Sequence, residues 1–130
     1  MHKLILGITI LSLFLSCENP NRTILGKWMM HQVIQDGLDV TEEHNPKKDR
    51  YFVMKEDGTF ESDGTPYGKN TGKYDFDPIE NTLFIDSDGG DTDDSSWSIS
   101  FEEGKMIWQG KGTEWAERFK IVYVRTMPQS

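Results

Sequence analysis

The feature that most restricts what this chain can fold into is a two-residue alternation of apolar and polar side chains, repeated in short runs from residue 26 to residue 126. Its clearest instance lies at 95–102, where Trp97, Ile99 and Phe101 alternate with Ser96, Ser98 and Ser100. Successive side chains of an extended strand point to opposite faces, so such a run has one dry face and one wet one. Eight runs of this kind are expected to form strands, over 26–35, 50–55, 59–62, 71–77, 82–86, 95–102, 105–109 and 115–126. Turn residues separate most of them. Glu56-Asp57-Gly58 is the strongest hairpin signal, and a three-residue loop with Gly58 in the left-handed region would pair Met54 with Phe60 and put Phe52, Met54 and Phe60 on one face. The polar connection from 36 to 49 carries no helical stripe, and a connection of that length is commonly functional or a lid.

Taken in register, the first strand points Trp28, Met30, Gln32 and Ile34 inward and His31 outward. Met29, Val33, Tyr51, Val53, Phe84, Ile107, Val122 and Val124 fall on outer faces, where that much apolar surface calls for a cover or a partner. Eight antiparallel strands joined by hairpins fit a sandwich or an up-and-down barrel.

The first sixteen residues stand apart. A basic start, Met1-His2-Lys3, precedes a nearly unbroken apolar run ending at Leu15, of about a dozen residues where a bilayer span needs about twenty. This is the pattern of an export signal. Leu15-Ser16-Cys17 resembles the bacterial lipoprotein signal, which implies cleavage before Cys17 and lipid on its thiol. Cys17 is the sole cysteine, so no intrachain disulfide forms. The expected organisation is a signal peptide over 1–16, lipidated Cys17 and a tether over 17–24, one domain over 25–126 and a tail over 127–130. Loss of the signal removes Lys3 and no acid, so the net charge of −8 becomes −9. Such a domain is repelled by phosphate backbones and anionic headgroups, which excludes nucleic acid as a partner and leaves membrane contact to the lipid.

Gly26-Lys27-Trp28 at the start of the first strand and Arg125 near the end of the last resemble the Gly-x-Trp and terminal Arg of the lipocalins and of small lipocalin-like bacterial lipoproteins. The resemblance implies an all-β, eight-stranded antiparallel up-and-down lipocalin-like β-barrel behind the N-terminal signal segment. If the terminal strands pair antiparallel, Trp28 and Arg125 meet at one rim, where a guanidinium over an indole contributes about 0.5–2 kcal/mol. It also implies a lipid-anchored protein of the cell envelope, at the outer membrane, that binds a small apolar or amphipathic ligand without catalysis. The alternative is a solid barrel acting through its apolar outer wall as a protein–protein interaction or scaffold module.

Within that frame the expected ligand lining is Met30, Gln32, Phe52, Met54, Phe60, Tyr74, Trp97, Phe101, Trp108 and Tyr123, with Gln32 and Tyr123 as the polar groups that orient a ligand. An eight-stranded barrel is just wide enough for its side chains to fill it or to leave room for one small molecule. His31 and His44 sit in no nucleophile or base motif, and both are read as solvated. No cofactor is expected. One metal candidate exists: Asp86, Asp88, Asp91 and Asp93 alternate around glycines, as the oxygen ligands of Ca²⁺ do, but the bidentate Glu of an EF-hand loop is missing.

Overall fold

The structure, a computed structural model, describes residues 24–89 and 94–125. The signal segment, Cys17, the tether up to 23, Asp91, Asp93 and the residues from 126 onward lie outside the described residues. Nine strands form one sheet: β1 (Gly26–Gln35), β2 (Leu38–Asp39), β3 (Tyr51–Met54), β4 (Thr59–Asp63), β5 (Asn70–Asp77), β6 (Thr82–Ser87), β7 (Ser95–Glu102), β8 (Lys105–Lys111) and β9 (Phe119–Arg125). Two single helical turns interrupt the series, α1 (Thr41–His44) and α2 (Glu114–Glu117). Apart from the two-residue β2, each strand pairs antiparallel with the next around the sheet, and β9 returns to β1, so eight strands close into a barrel. None of these helical turns is long enough to cross a membrane.

The expected hairpin is present: Met54 pairs with Phe60 and Gly58 takes φ +86°. Closure occurs where the sequence places it. Trp28 pairs with Arg125, and the guanidinium lies 4.1 Å from the centre of the indole. The Trp28 Nε1 donates to the Ile24 carbonyl at 3.0 Å, and Arg125 Nη1 donates to the Leu25 carbonyl at 2.6 Å. Gly26 is required at this rim, because its φ of +107° disfavours a side chain and a Cβ would stand 3.0 Å from Arg125 Nη1. Above this rim the closed half of the barrel is filled by Met54, Phe60, Leu83 and Met106, each almost wholly buried.

The expected register of β1 fails after Met30. Pairing with β9 steps from Met30–Tyr123 to Gln32–Val122, so His31 is an extra residue, and a bulge reverses the faces beyond it. Val33, expected outside, is 2 % exposed in the core. Gln32 and Ile34, expected inside, turn outward, and Gln32 Nε2 donates to Asp39 Oδ2 at 3.1 Å.

A second departure follows from strand length. β3 covers only Gly26 to Met29 of β1, which leaves the rest of that edge beyond its reach. The 36–50 connection takes its place. β2 pairs with the end of β1, Val33 N donates to Thr41 Oγ1 at 3.0 Å, and Met30 N donates to the Arg50 carbonyl at 2.9 Å. Buried Asn45 is the clasp: its Nδ2 donates to the Met30 carbonyl at 3.0 Å while its Oδ1 accepts from Arg50 N at 3.1 Å. The connection also lies over the outer side of the β1–β9 seam, against Met29 and Val124. Val122 is buried, whereas Phe84 remains 42 % exposed on the outer wall.

The last strand is shorter than expected. Residues 114–117 form α2, capped by Thr113, whose Oγ1 accepts from Ala116 N at 3.2 Å, and β9 begins only at Phe119. Ala116 packs wholly buried against Gly110 of β8, an approach that leaves no room for a side chain at 110. Such contacts are invisible to periodicity.

Candidate functional site

The packed interior stops about halfway along the barrel. Above it, at the end away from Trp28 and Arg125, lies a cavity of about 290 Å³. That size is at the lower edge of small-molecule pockets, which run from about 300 Å³ upward. Its deep wall is aromatic. Trp108 lies 4.8 Å from Tyr123, 5.0 Å from Phe52 and 5.6 Å from Trp97, centre to centre. Met30, Val33, Ile85 and Ile121 complete the sides.

The mouth is built by connections rather than strands. His44 ends α1, Arg50 precedes β3, Tyr67 tops the β4–β5 loop, and Trp115 and Phe119 flank the start of β9. His44 was expected in solvent. Instead it is half-buried, its Nδ1 shares a 2.9 Å hydrogen bond with the Tyr67 hydroxyl, and its ring meets Phe119 edge-on at 5.7 Å. The Arg50 guanidinium lies 4.7 Å from the centre of the Tyr67 ring, and its Nη1 donates to the His44 carbonyl at 2.8 Å. Asp49 ties the two connections together by accepting from Thr65 N at 2.9 Å and Thr65 Oγ1 at 3.2 Å. Gly64 allows this approach, since with φ +120° a Cβ there would run into the Arg50 backbone.

The polar inventory is small and sparingly paired. Ser62, Asn70 and Ser95 line the upper wall. Ser95 Oγ accepts from Trp97 Nε1 at 2.7 Å, and Asn70 Oδ1 accepts from Ser87 Oγ at 2.9 Å. Trp108 Nε1 is buried among rings with no hydrogen-bond partner among the described residues. Tyr123 is 3 % exposed, and burial pushes its hydroxyl up to about 12 against a weaker opposing pull from the Arg50 charge. Its hydroxyl, too, finds no partner among the described residues. Among the described residues no aspartate or glutamate lines the cavity, although the chain has 22 of them.

Of the expected lining, Met30, Phe52, Trp97, Trp108 and Tyr123 come together around the cavity. Met54, Phe60 and Tyr74 belong to the packed closed half, where the Tyr74 hydroxyl donates to the Lys55 carbonyl at 2.6 Å. Gln32 is outside because of the bulge. Phe101 continues the inward face of β7, but past the rim: it is 45 % exposed and lies against Trp28, 6.3 Å between centres. Arg50, His44, Tyr67 and Trp115 were not anticipated: His44 and Tyr67 sit in segments without a period, and Arg50 and Trp115 were expected only as the first residues of the strands over 50–55 and 115–126. The available signal was a His and an Arg closing a polar connection that runs straight into a strand.

The acidic stretch stands at the open end. Asp88 Oδ2 accepts from Thr71 Oγ1 at 2.9 Å, and Asp94 Oδ1 accepts from Ser87 N at 2.9 Å. Among the described residues no three acidic, His or Cys side chains gather as a metal site would require, while Asp91 and Asp93 lie outside them.

No family model matches the sequence, and neither does any curated protein. The fold is similar to the crystal structure of a DUF4847 family protein from Bacteroides vulgatus ATCC 8482, with a TM-score of 0.56 at 13 % identity, covering 80 % of this chain and 94 % of that one. At that identity the likeness concerns the barrel fold alone.

Proposed function

We propose that this domain is a non-catalytic binder of one small, largely apolar molecule, related to the lipocalin-like lipoproteins and held at the cell envelope by lipid on Cys17. The observation that carries the reading is the unfilled aromatic cavity of about 290 Å³ above a fully packed lower barrel. Filling that space with larger side chains would have stabilised the core, so an open chamber is a cost that ligand carriage explains. Few polar groups at fixed positions, within an apolar wall, are what orient a small molecule.

The test is saturable binding of a neutral apolar probe, N-phenylnaphthylamine, to the full chain. One molecule per chain is expected, with binding abolished by the cavity-filling substitution Ile121→Trp while the melting temperature is held or raised. Weak, non-saturating uptake that Ile121→Trp leaves untouched would rule the carrier reading out. Native mass spectrometry of the protein as isolated would then identify a co-purified occupant directly.

A further inference from the structure

The cavity contains an unusual pairing of charge and its absence. Arg50 lines it half-buried, yet makes no ion pair with a carboxylate among the described residues. Its contacts are a carbonyl, that of His44, and the face of Tyr67. In a chain with 22 acidic residues, a half-buried guanidinium would ordinarily collect a carboxylate, and none of the described residues lining this wall supplies one. Beside it stands a second donor, the Tyr123 hydroxyl. Arg50 and Tyr123 flank Met30 at one level of the barrel, because Met30 N donates to the Arg50 carbonyl and Met30 pairs with Tyr123 across the β1–β9 seam. Two strand spacings put their backbones roughly 10 Å apart, a gap that two long side chains aimed into one cavity can close. Tyr123 as a residue is 3 % exposed, and burial keeps its hydroxyl protonated at neutral pH, so it is available to donate.

Resting on the carrier reading above, we infer that the cavity takes an organic acid with a compact ring-bearing body, whose carboxylate is received by the Arg50 guanidinium and the Tyr123 hydroxyl while the ring stacks among Phe52, Trp97 and Trp108. The guanidinium keeps donors to spare after its bond to His44, since it carries five. The volume limits the ligand to on the order of ten to twenty heavy atoms, since a water's share is roughly 30 Å³ and bonded atoms pack closer than waters, so a larger acid fits only if part of it protrudes from the mouth.

The experiment is a calorimetric titration of the full chain with naphthylacetate and with its neutral isostere naphthylacetamide. The acid is expected to bind about tenfold or more tighter than the amide, as charge-assisted hydrogen bonds require. Arg50→Gln should bring the acid down to the level of the amide and leave the amide unchanged; Tyr123→Phe should weaken both. If Arg50→Gln does not fold, the comparison on the unaltered chain decides by itself. Equal affinities, or binding of neutral N-phenylnaphthylamine alone, would overturn the acid inference and leave the carrier reading standing. Failure of all three compounds to bind would overturn both.

Discussion

Two side chains two residues apart on β9 divide closure and recognition between them, Arg125 at the sealed rim and Tyr123 on the cavity wall. Arg125 joins three parts of the closed rim, through its stacking on Trp28, its bond to the Leu25 carbonyl and the space Gly26 leaves for it. Arg125→Ala should therefore destabilise the domain by about 1–2 kcal/mol, read from urea unfolding, with Arg125→Lys recovering only part. Tyr123 behaves differently because it lines the cavity and its hydroxyl bonds to no described residue. Replacing it by Phe breaks no such bond, so stability at neutral pH should be nearly unchanged, in contrast to its effect on binding. The alkaline limb carries the sign of the shift. The native hydroxyl holds its proton to about 12 while the unfolded one releases it near 10. The unfolded state thus binds fewer protons between those values, and stability, complete below pH ~10, falls as pH rises through that window by roughly 2–3 kcal/mol. Unfolding measured at about pH 9 and about pH 11.5 should show this loss in the native sequence and a smaller one in Tyr123→Phe. An equal loss in both would mean that Tyr123 titrates as an exposed phenol.

At the scale of elements, the strands were legible in the sequence wherever a run of alternation met a matching partner. β5 through β8 follow their expected faces because each is paired along most of its length and needs no irregularity to reach its neighbour. β1 does not, for a reason its own residues cannot express. It must pair with β9 on one side and with the short β3 and a folded-back connection on the other, and the bulge at His31 adjusts its twist between these edges. A one-residue offset moves every later side chain to the opposite face, which turned Gln32 and Ile34 from expected lining into outer wall. The candidate site was half legible for the same reason: its aromatic wall sits on regular strands, whereas Arg50, His44, Tyr67 and Trp115 come from connections fixed by tertiary hydrogen bonds. The bulge makes a sharp forecast. Val33→Asp should unfold the domain or cost about 3 kcal/mol or more, and Ile34→Asp should be tolerated; unbroken alternation requires the reverse. Asn45→Ala should cost about 1–3 kcal/mol by orphaning the Met30 carbonyl and the Arg50 N–H together. Faster amide exchange at Arg50 would identify the lost clasp, and unchanged exchange would show that another group holds the connection.

For the molecule as a whole, the decisive asymmetry is that the chain enters the barrel at its closed end. Ile24 is buried beneath Trp28, and β1 climbs from there to the mouth. Ten residues at about 3.3 Å each, tilted as barrel strands are, separate the two ends by roughly 25 Å. Under the proposed attachment of lipid at Cys17, the seven residues to Ile24 reach at most about 25 Å, at ~3.6 Å per residue. Ile24, the first described residue, thus stands at the sealed rim, with the packed lower half of the barrel between it and the cavity. An anchored chain should then bind as an unanchored one does. N-phenylnaphthylamine affinity corrected for its uptake by lipid should agree within about twofold between chains on vesicles and chains lacking the lipid, since anchoring changes encounter and not the site. Trp115, 45 % exposed at the mouth, supplies an independent readout: on vesicles it should remain open to a water-soluble quencher. Protection of Trp115 together with a tenfold loss of probe binding would mean that the bilayer covers the mouth, and that the cavity is loaded from the membrane rather than from solution.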